Sequence, residues 1–284
     1  MPAKEDPDRT ASSLQRGFAL LRALAAMDQS ARLGQLAEAT GLTQPTTHRL
    51  LHALIAEGMV EQQADRTYRL TLELFALAAR APRHHALRDV CRPHLLRLAG
   101  SLGDTTFLLV RSGYDAICLD RAEGALPIRS FTGDIGGKIV MGTGQGSVTL
   151  LAFLPEAERE EVIRYNLPRL IDLGLHDAVS LRLQLAHARE QGFTASHGAA
   201  AHYGASHFPG IGGVAVPILD RQGYALASLS ISTLAERLDP PRLGMVVDIL
   251  RREAQDIASR IDPFDPTLRR PVPGGGNGER ARGR

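Results

Sequence analysis

From residue 12 the chain sets apolar positions in a helical rhythm, which gives way to a strand rhythm near residue 59. Leu14, Phe18, Leu21 and Leu24 recur at three- and four-residue steps behind Ser12 or Ser13, either of which can cap a first helix. Leu33, Leu36 and Ala37 mark a short second helix that Gly41 stops. Thr43 is a good N-cap and Pro45 is tolerated in a first turn, so a third helix starts almost at once. Two short helices around a tight glycine-containing turn are the helix-turn-helix signature. The third helix ends at Gly58. Beyond it, Met59-Val60-Glu61-Gln62 and Thr67-Tyr68-Arg69-Leu70 flank Ala64-Asp65-Arg66, a hairpin in the position of a wing. Leu70, Leu74, Leu77 and Ala81 then resume helical spacing, which suits either a partner helix or packing on the N-terminal domain.

The remainder alternates. Strands are predicted over 105–110, 116–121, 126–131 and 193–196, and helices over 88–101, 147–153, 156–165 and 178–190. A hairpin joins 213–219 to 224–232 around Asp220-Arg221-Gln222-Gly223, and a last helix covers 241–260. Such runs imply an α+β fold with a mainly antiparallel sheet flanked by helices. The expected division is a winged helix-turn-helix domain over 12–70, a helical linker over 71–92 and a larger α+β domain over 93–262. The polar, Pro/Gly-rich ends, 1–11 and 263–284, read as disordered.

Around the third helix, at about 100° per residue, Leu50, Leu51 and Leu54 share one sector and Thr47 falls among them. Thr47 is therefore assigned to the core. Thr46, His48, Arg49 and His52 are left able to reach a groove, with Thr43 and Gln44 at the helix start. Arg49 can grip guanine at two points or hold a phosphate, and its mid-helix place favours phosphate. Arg66 and Arg69 of the wing suit phosphate or minor-groove contacts, or simply a solvated turn.

Charge does not strengthen this picture. The net charge is +2, and residues 1–80 carry nine Lys/Arg against nine Asp/Glu, so any contact with DNA must come from local placement of a few cations. Nothing approaches the roughly 18–20 apolar residues of a membrane span, and residues 1–10 lack the apolar core of a secretory signal. The two cysteines, Cys91 and Cys118, form no C-x-x-C pair, which excludes a disulfide scaffold and suits a reducing cytoplasm.

In order along the chain stand Ser13-Leu14-Gln15-Arg16-Gly17-Phe18-Ala19-Leu20-Leu21, the run from Gly41 to Leu51, Glu57-Gly58-Met59-Val60 and Tyr68-Arg69-Leu70. There follow Arg92-Pro93-His94-Leu95 with Arg97-Leu98-Ala99, the run Gly142 to Gly146 with Leu151-Ala152-Phe153-Leu154-Pro155, Val214-Ala215-Val216-Pro217-Ile218-Leu219-Asp220, and Ala227-Ser228-Leu229-Ser230-Ile231-Ser232. Over nearly all of 12–262 the chain resembles the IclR family of bacterial transcription regulators. The resemblance implies a dimer or tetramer that reads double-stranded operator DNA through paired winged helix-turn-helix domains, without enzymatic activity or cofactor. It also implies a second domain that binds a small organic effector, often a carboxylate or aromatic acid.

Carried over, the effector site comprises the turn Gly144-Gln145-Gly146-Ser147 and the hydroxyls of Ser230 and Ser232. Serines at i and i+2 of a strand point to one face. Glycine-opened amides at a helix start suit an anion, or else form a tight turn with no ligand. Two positions depart from the family pattern: a frequent cysteine is Gly213 here, and an acidic position falls near Tyr203. The pocket is then expected to present Tyr203 or His207, which changes the ligand class.

The competing reading is a metal sensor or metal-dependent protein using His197, His202 and His207. Five-residue spacing matches no helix-face pair or zinc motif, and no Asp or Glu lies nearby, so no metal site is assigned. Gly142-x-Gly144-x-Gly146-Ser147 lacks the lysine of a P-loop and the G-x-G-x-x-G dinucleotide spacing.

Overall fold

The computed structural model describes residues 12–27, 30–79, 85–125, 134–174, 177–196 and 210–261. The termini expected to be disordered and the strand expected over 126–131 lie outside those residues. The chain divides between Arg83 and His84 into two compact units.

In the first unit, helix α1 (Ser13–Ala26) starts in a capping box: the Ser12 hydroxyl accepts from the Gln15 amide, and the Gln15 side chain accepts from the Ser12 amide. Helix α2 (Leu33–Thr40) ends on Gly41, whose φ of 68° is the left-handed cap that glycine adopts without strain. Helix α3 (Gln44–Ala56) follows directly, then strands β1 (Val60–Gln62) and β2 (Tyr68–Leu70), paired antiparallel. Ala31 exchanges two backbone hydrogen bonds with Tyr68, at 3.0 and 2.8 Å, which ties the approach to α2 onto the wing. The core is Leu20, Leu24, Leu36, Leu50, Leu51, Val60 and Tyr68.

One expected face of α1 is wrong. Leu14 and Phe18 are 69% and 49% exposed, because the inward stripe runs through Leu20 and Leu24 instead. An apolar helix with two candidate stripes cannot bury both against one neighbour.

The predicted linker over 71–92 is two helices, α4 (Glu73–Ala79) and α5 (His85–Leu102). Leu87, Cys91, Leu95 and Leu98 of α5 lie in the core of the second unit, so that unit begins inside the stretch expected to connect the two. On α4, Phe75 and Leu77 remain 66% and 52% exposed.

Among its described residues the second unit carries one six-stranded antiparallel sheet in the order β5-β4-β3-β8-β7-β6. The strands are β3 (Thr105–Ser112), β4 (Asp115–Ala122), β5 (Lys138–Val140), β6 (Thr194–Ser196), β7 (Ile211–Leu219) and β8 (Ala225–Leu234). The three-residue β5 was not predicted, being too short to show alternation. Helices α6 (Gly144–Ala152), α7 (Glu156–Asp172) and α8 (Ala178–Gln191) separate β5 from β6, and α9 (Pro240–Arg260) ends the unit.

Strand alternation splits the core in two. Leu108, Val214, Val216, Leu229 and Ile231 face α5 and α9, whereas Phe107, Leu109 and Cys118 pack with Leu150 of α6. A bulge opposite Leu108 and Leu109 turns buried Asp120 to the α5 side, where Arg88 and Arg92 pair with it at 3.3 and 3.0 Å.

α5 and α9 are also joined by charge. His94, 1% exposed, places Nδ1 against Glu253, which Arg97 binds at 2.8 Å. Burial raises the Glu253 carboxyl, but hydrogen bonds and charge from Arg97 and His94 outweigh it and hold the group below its ordinary value of 4.5. A depressed carboxyl stabilises the fold above its unfolded value and loses that contribution as pH falls through the folded one. Glu253→Gln is expected to lower stability by about 1–3 kcal/mol at neutral pH. In urea titrations that deficit should shrink below pH 4.5; a deficit constant with pH would refute the ion-pair account.

Candidate DNA-reading helix and effector pocket

The third helix presents the side expected. Thr47 is fully buried, its hydroxyl donating to the Thr43 carbonyl at 3.0 Å, while Gln44, His48, Arg49 and His52 are exposed. Thr46 is half-buried and accepts a 2.9 Å hydrogen bond from the Thr43 hydroxyl. Thr43 therefore occupies the N-cap without a side-chain bond to the helix amides. His48 and His52 sit one turn apart with their Nε2 atoms 3.2 Å from each other, so they face outward as a pair. Arg49 forms no ion pair among the described residues.

The wing cations differ. Arg66 stands exposed at the tip in the left-handed region, with φ 65°. Arg69 is paired with Glu61 across the hairpin. That carboxylate competes for its guanidinium, which sets Arg69 apart from Arg66.

In the second unit the predicted effector site is built around the start of α6. Gly144, Gln145, Gly146 and Ser147 form the first turn of the helix, not a turn before it; Thr143 is the N-cap and makes no side-chain capping bond. Residues from Gln145 to Ala152 are all buried. A helix start carries unpaired amides and partial positive charge. Here it lies inside the domain.

Gly146 allows this depth. A Cβ there would lie 2.5 Å from Leu109 Cδ1, 3.1 Å from Ser230 Oγ and 3.3 Å from Ser228 Oγ. Bare backbone thus meets the serine-bearing face of β8. Ser230 is 6% exposed and Ser232 half-buried. Gly213 pairs with Ser232 across β7 and β8, and a Cβ on it would lie 3.4 Å from Gln145 Cγ. Gly144, Gly146, Gly213 and Ser230 are brought together as expected, with Ser232 at the edge.

Ser147 departs from its expected role. Its hydroxyl donates to the Thr143 carbonyl at 2.5 Å and accepts from the Gly142 amide at 3.2 Å, so it fastens the turn. Tyr203 and His207, and with them His197 and His202, lie outside the described residues.

Two groups were missed, Thr143 and Ser228, and Gln145 was named only as part of its turn. Thr143 Oγ1, Gln145 Oε1 and Ser228 Oγ are buried without a hydrogen-bond partner among the described residues. Ser228 continues the i, i+2 row of Ser230 and Ser232 and was readable from it. Thr143 and the burial of the Gln145 side chain gave no signal, since only the seating of α6 buries them. Burial also pushes the thiols of Cys91 and Cys118 up to about 12, so neither supplies a thiolate at neutral pH.

A winged helix-turn-helix unit followed by an α+β unit is the layout of a DNA-binding regulator with an effector domain. The IclR helix-turn-helix domain profile matches residues 13–64, and the bacterial transcriptional regulator IclR C-terminal profile matches 79–259. The chain belongs to the IclR family of transcription regulators.

Among its relatives, the regulator KipR of Bacillus subtilis is 24% identical over 82% of this chain and 90% of its own. The repressor AllR of Salmonella typhimurium is 26% identical over 92% and 94%. The crystal structure of an IclR homologue from Microbacterium hydrocarbonoxydans, complexed with 4-hydroxybenzoate, is 26% identical over 87% of this chain and 98% of its own, with a TM-score of 0.70.

Close seating of α6 makes a direct prediction. Gly146→Ala should destabilise the protein by about 1–3 kcal/mol through overpacking against Leu109 and the β8 serines. Urea unfolding checks this, and an unchanged midpoint would mean that helix and strand separate readily.

Proposed function

We propose that this regulator reads operator DNA with the exposed face of α3 and the Arg66 tip of the wing, and answers to a small organic acid held between the α6 start and the β8 serines. The observation that carries the second half is the buried start of α6, without a side-chain cap and beside Ser230 and Ser228, where Thr143, Gln145 and Ser228 bear polar atoms without partners among the described residues. Such a site favours an anion. The 4-hydroxybenzoate complex of the Microbacterium relative supports a carboxylate, there an aromatic one.

The protein acts as a homodimer or homotetramer in the cytoplasm and carries no catalytic activity. Exposed Leu14, Phe18, Phe75 and Leu77 support self-association, and the regulator relatives support the rest. The effector works only through its differential affinity for the DNA-competent and DNA-incompetent arrangements.

Arg49→Ala is expected to weaken binding to all DNA sequences and lower the salt slope by about one. Loss confined to a single base-pair position in a binding-site scan would assign Arg49 to guanine instead. Ser230→Ala/Ser232→Ala should remove the thermal shift produced by organic acids yet leave operator binding intact. A ligand at about 100 times its Kd stabilises by about 2.7 kcal/mol. That shift, surviving in the double variant, would place the effector elsewhere.

A further inference from the structure

We propose that Gln145 selects the effector: its side-chain carbonyl accepts a hydrogen bond from a hydroxyl on the bound acid, so the pocket takes hydroxy acids over their unsubstituted counterparts. The proposal rests on the effector pocket assigned above.

Gln145 is in the first turn of α6, 8% exposed, and its Oε1 has no hydrogen-bond partner among the described residues. Its stem lies beside the backbone of Gly213, the residue paired with Ser232, so the side chain is seated against β7. A buried carbonyl without a donor is a costly arrangement, and native proteins supply the donor from protein, water or ligand. Chemistry then divides the pocket. The ligand carboxylate is an acceptor and is suited to the α6 amides and to the hydroxyls of Thr143, Ser228 and Ser230. It cannot satisfy Oε1, which is also an acceptor. Oε1 calls for an O–H on the ligand.

The test uses the full-length protein and three matched pairs: 4-hydroxybenzoate with benzoate, glycolate with acetate, and lactate with propionate. Calorimetry should find the hydroxy acid bound about tenfold more tightly in at least one pair, the worth of one neutral hydrogen bond. Gln145→Leu should bring the two members to about equal affinity and raise the melting temperature of the unliganded protein, because the dry acceptor is gone. Gln145→Glu keeps the shape and should weaken both members, since it sets a carboxylate against an acid.

Equal binding of both members by the wild type would overturn the proposal, as it would if the amide turned its NH2 to the carboxylate. Discrimination retained in Gln145→Leu, or no pair binding at all, would do the same. The Ser230→Ala/Ser232→Ala variant separates the two ideas. If it loses acid binding while Gln145→Leu still discriminates, only the Gln145 assignment fails. If it binds normally while Gln145→Leu loses discrimination, Gln145 stands and the serine row is removed from the site.

Discussion

The close approach of α6 to the serine-bearing face of β8 is the constraint on which the larger unit depends. A helix can lie this near a strand only where side chains are small on both sides, and Gly146 meets Ser228 and Ser230 there. One consequence is packing: the rest of α6 is buried, with Leu150 in the Phe107, Leu109 and Cys118 cluster. The other is chemical. The seating carries a helix start without a side-chain cap into the interior, where a set of buried polar side-chain atoms finds no partner among the described residues. The packing of the domain and the ligand site proposed above thus draw on one contact.

The opposite face of the same sheet is organised differently. Large aliphatic side chains of β3, β7 and β8 meet α5 and α9, and the helices are joined to each other and to the sheet through buried charge. His94 with Glu253 and Asp120 with Arg88 and Arg92 fix orientation in a layer that apolar packing alone would leave free to slide. Asp104 does the same at the sheet end, accepting from Thr233 at 2.7 Å and from Arg242 at 2.8 Å. A rigid back layer and a polar front layer suit a domain that must hold its fold while a ligand enters one side.

The DNA-reading unit relies on few charges. With equal numbers of acidic and basic residues before residue 81, attraction to phosphate comes from position. Arg49 faces outward without an acidic partner among the described residues, whereas Arg69 is engaged by Glu61. A salt bridge across the hairpin has little effect on stability at such exposure, but it sets a carboxylate in competition with phosphate for Arg69.

Element order and type were largely legible in the sequence, because capping residues, glycine stops and apolar periodicity are local properties. Ser12, Gly41, the burial of Thr47 and the hairpin around Asp220 all follow from neighbours within a few positions. Which stripe of α1 faces inward was not legible, since Leu14/Phe18 and Leu20/Leu24 satisfy the same period and only the packing of α2, α3 and the wing chooses between them. The boundary inside 71–92 likewise depended on where α5 finds its core. At the site, the sequence on its own carried the family resemblance that points to the glycine turn and to Ser230 and Ser232, and strand alternation put the serines on one face. The tertiary structure decided that Ser147 holds its own turn and that Gln145 is buried beside Gly213 with its carbonyl unpaired among the described residues. Burial and pairing across 68 residues of chain are set by how a helix seats on a sheet, and no local pattern encodes that.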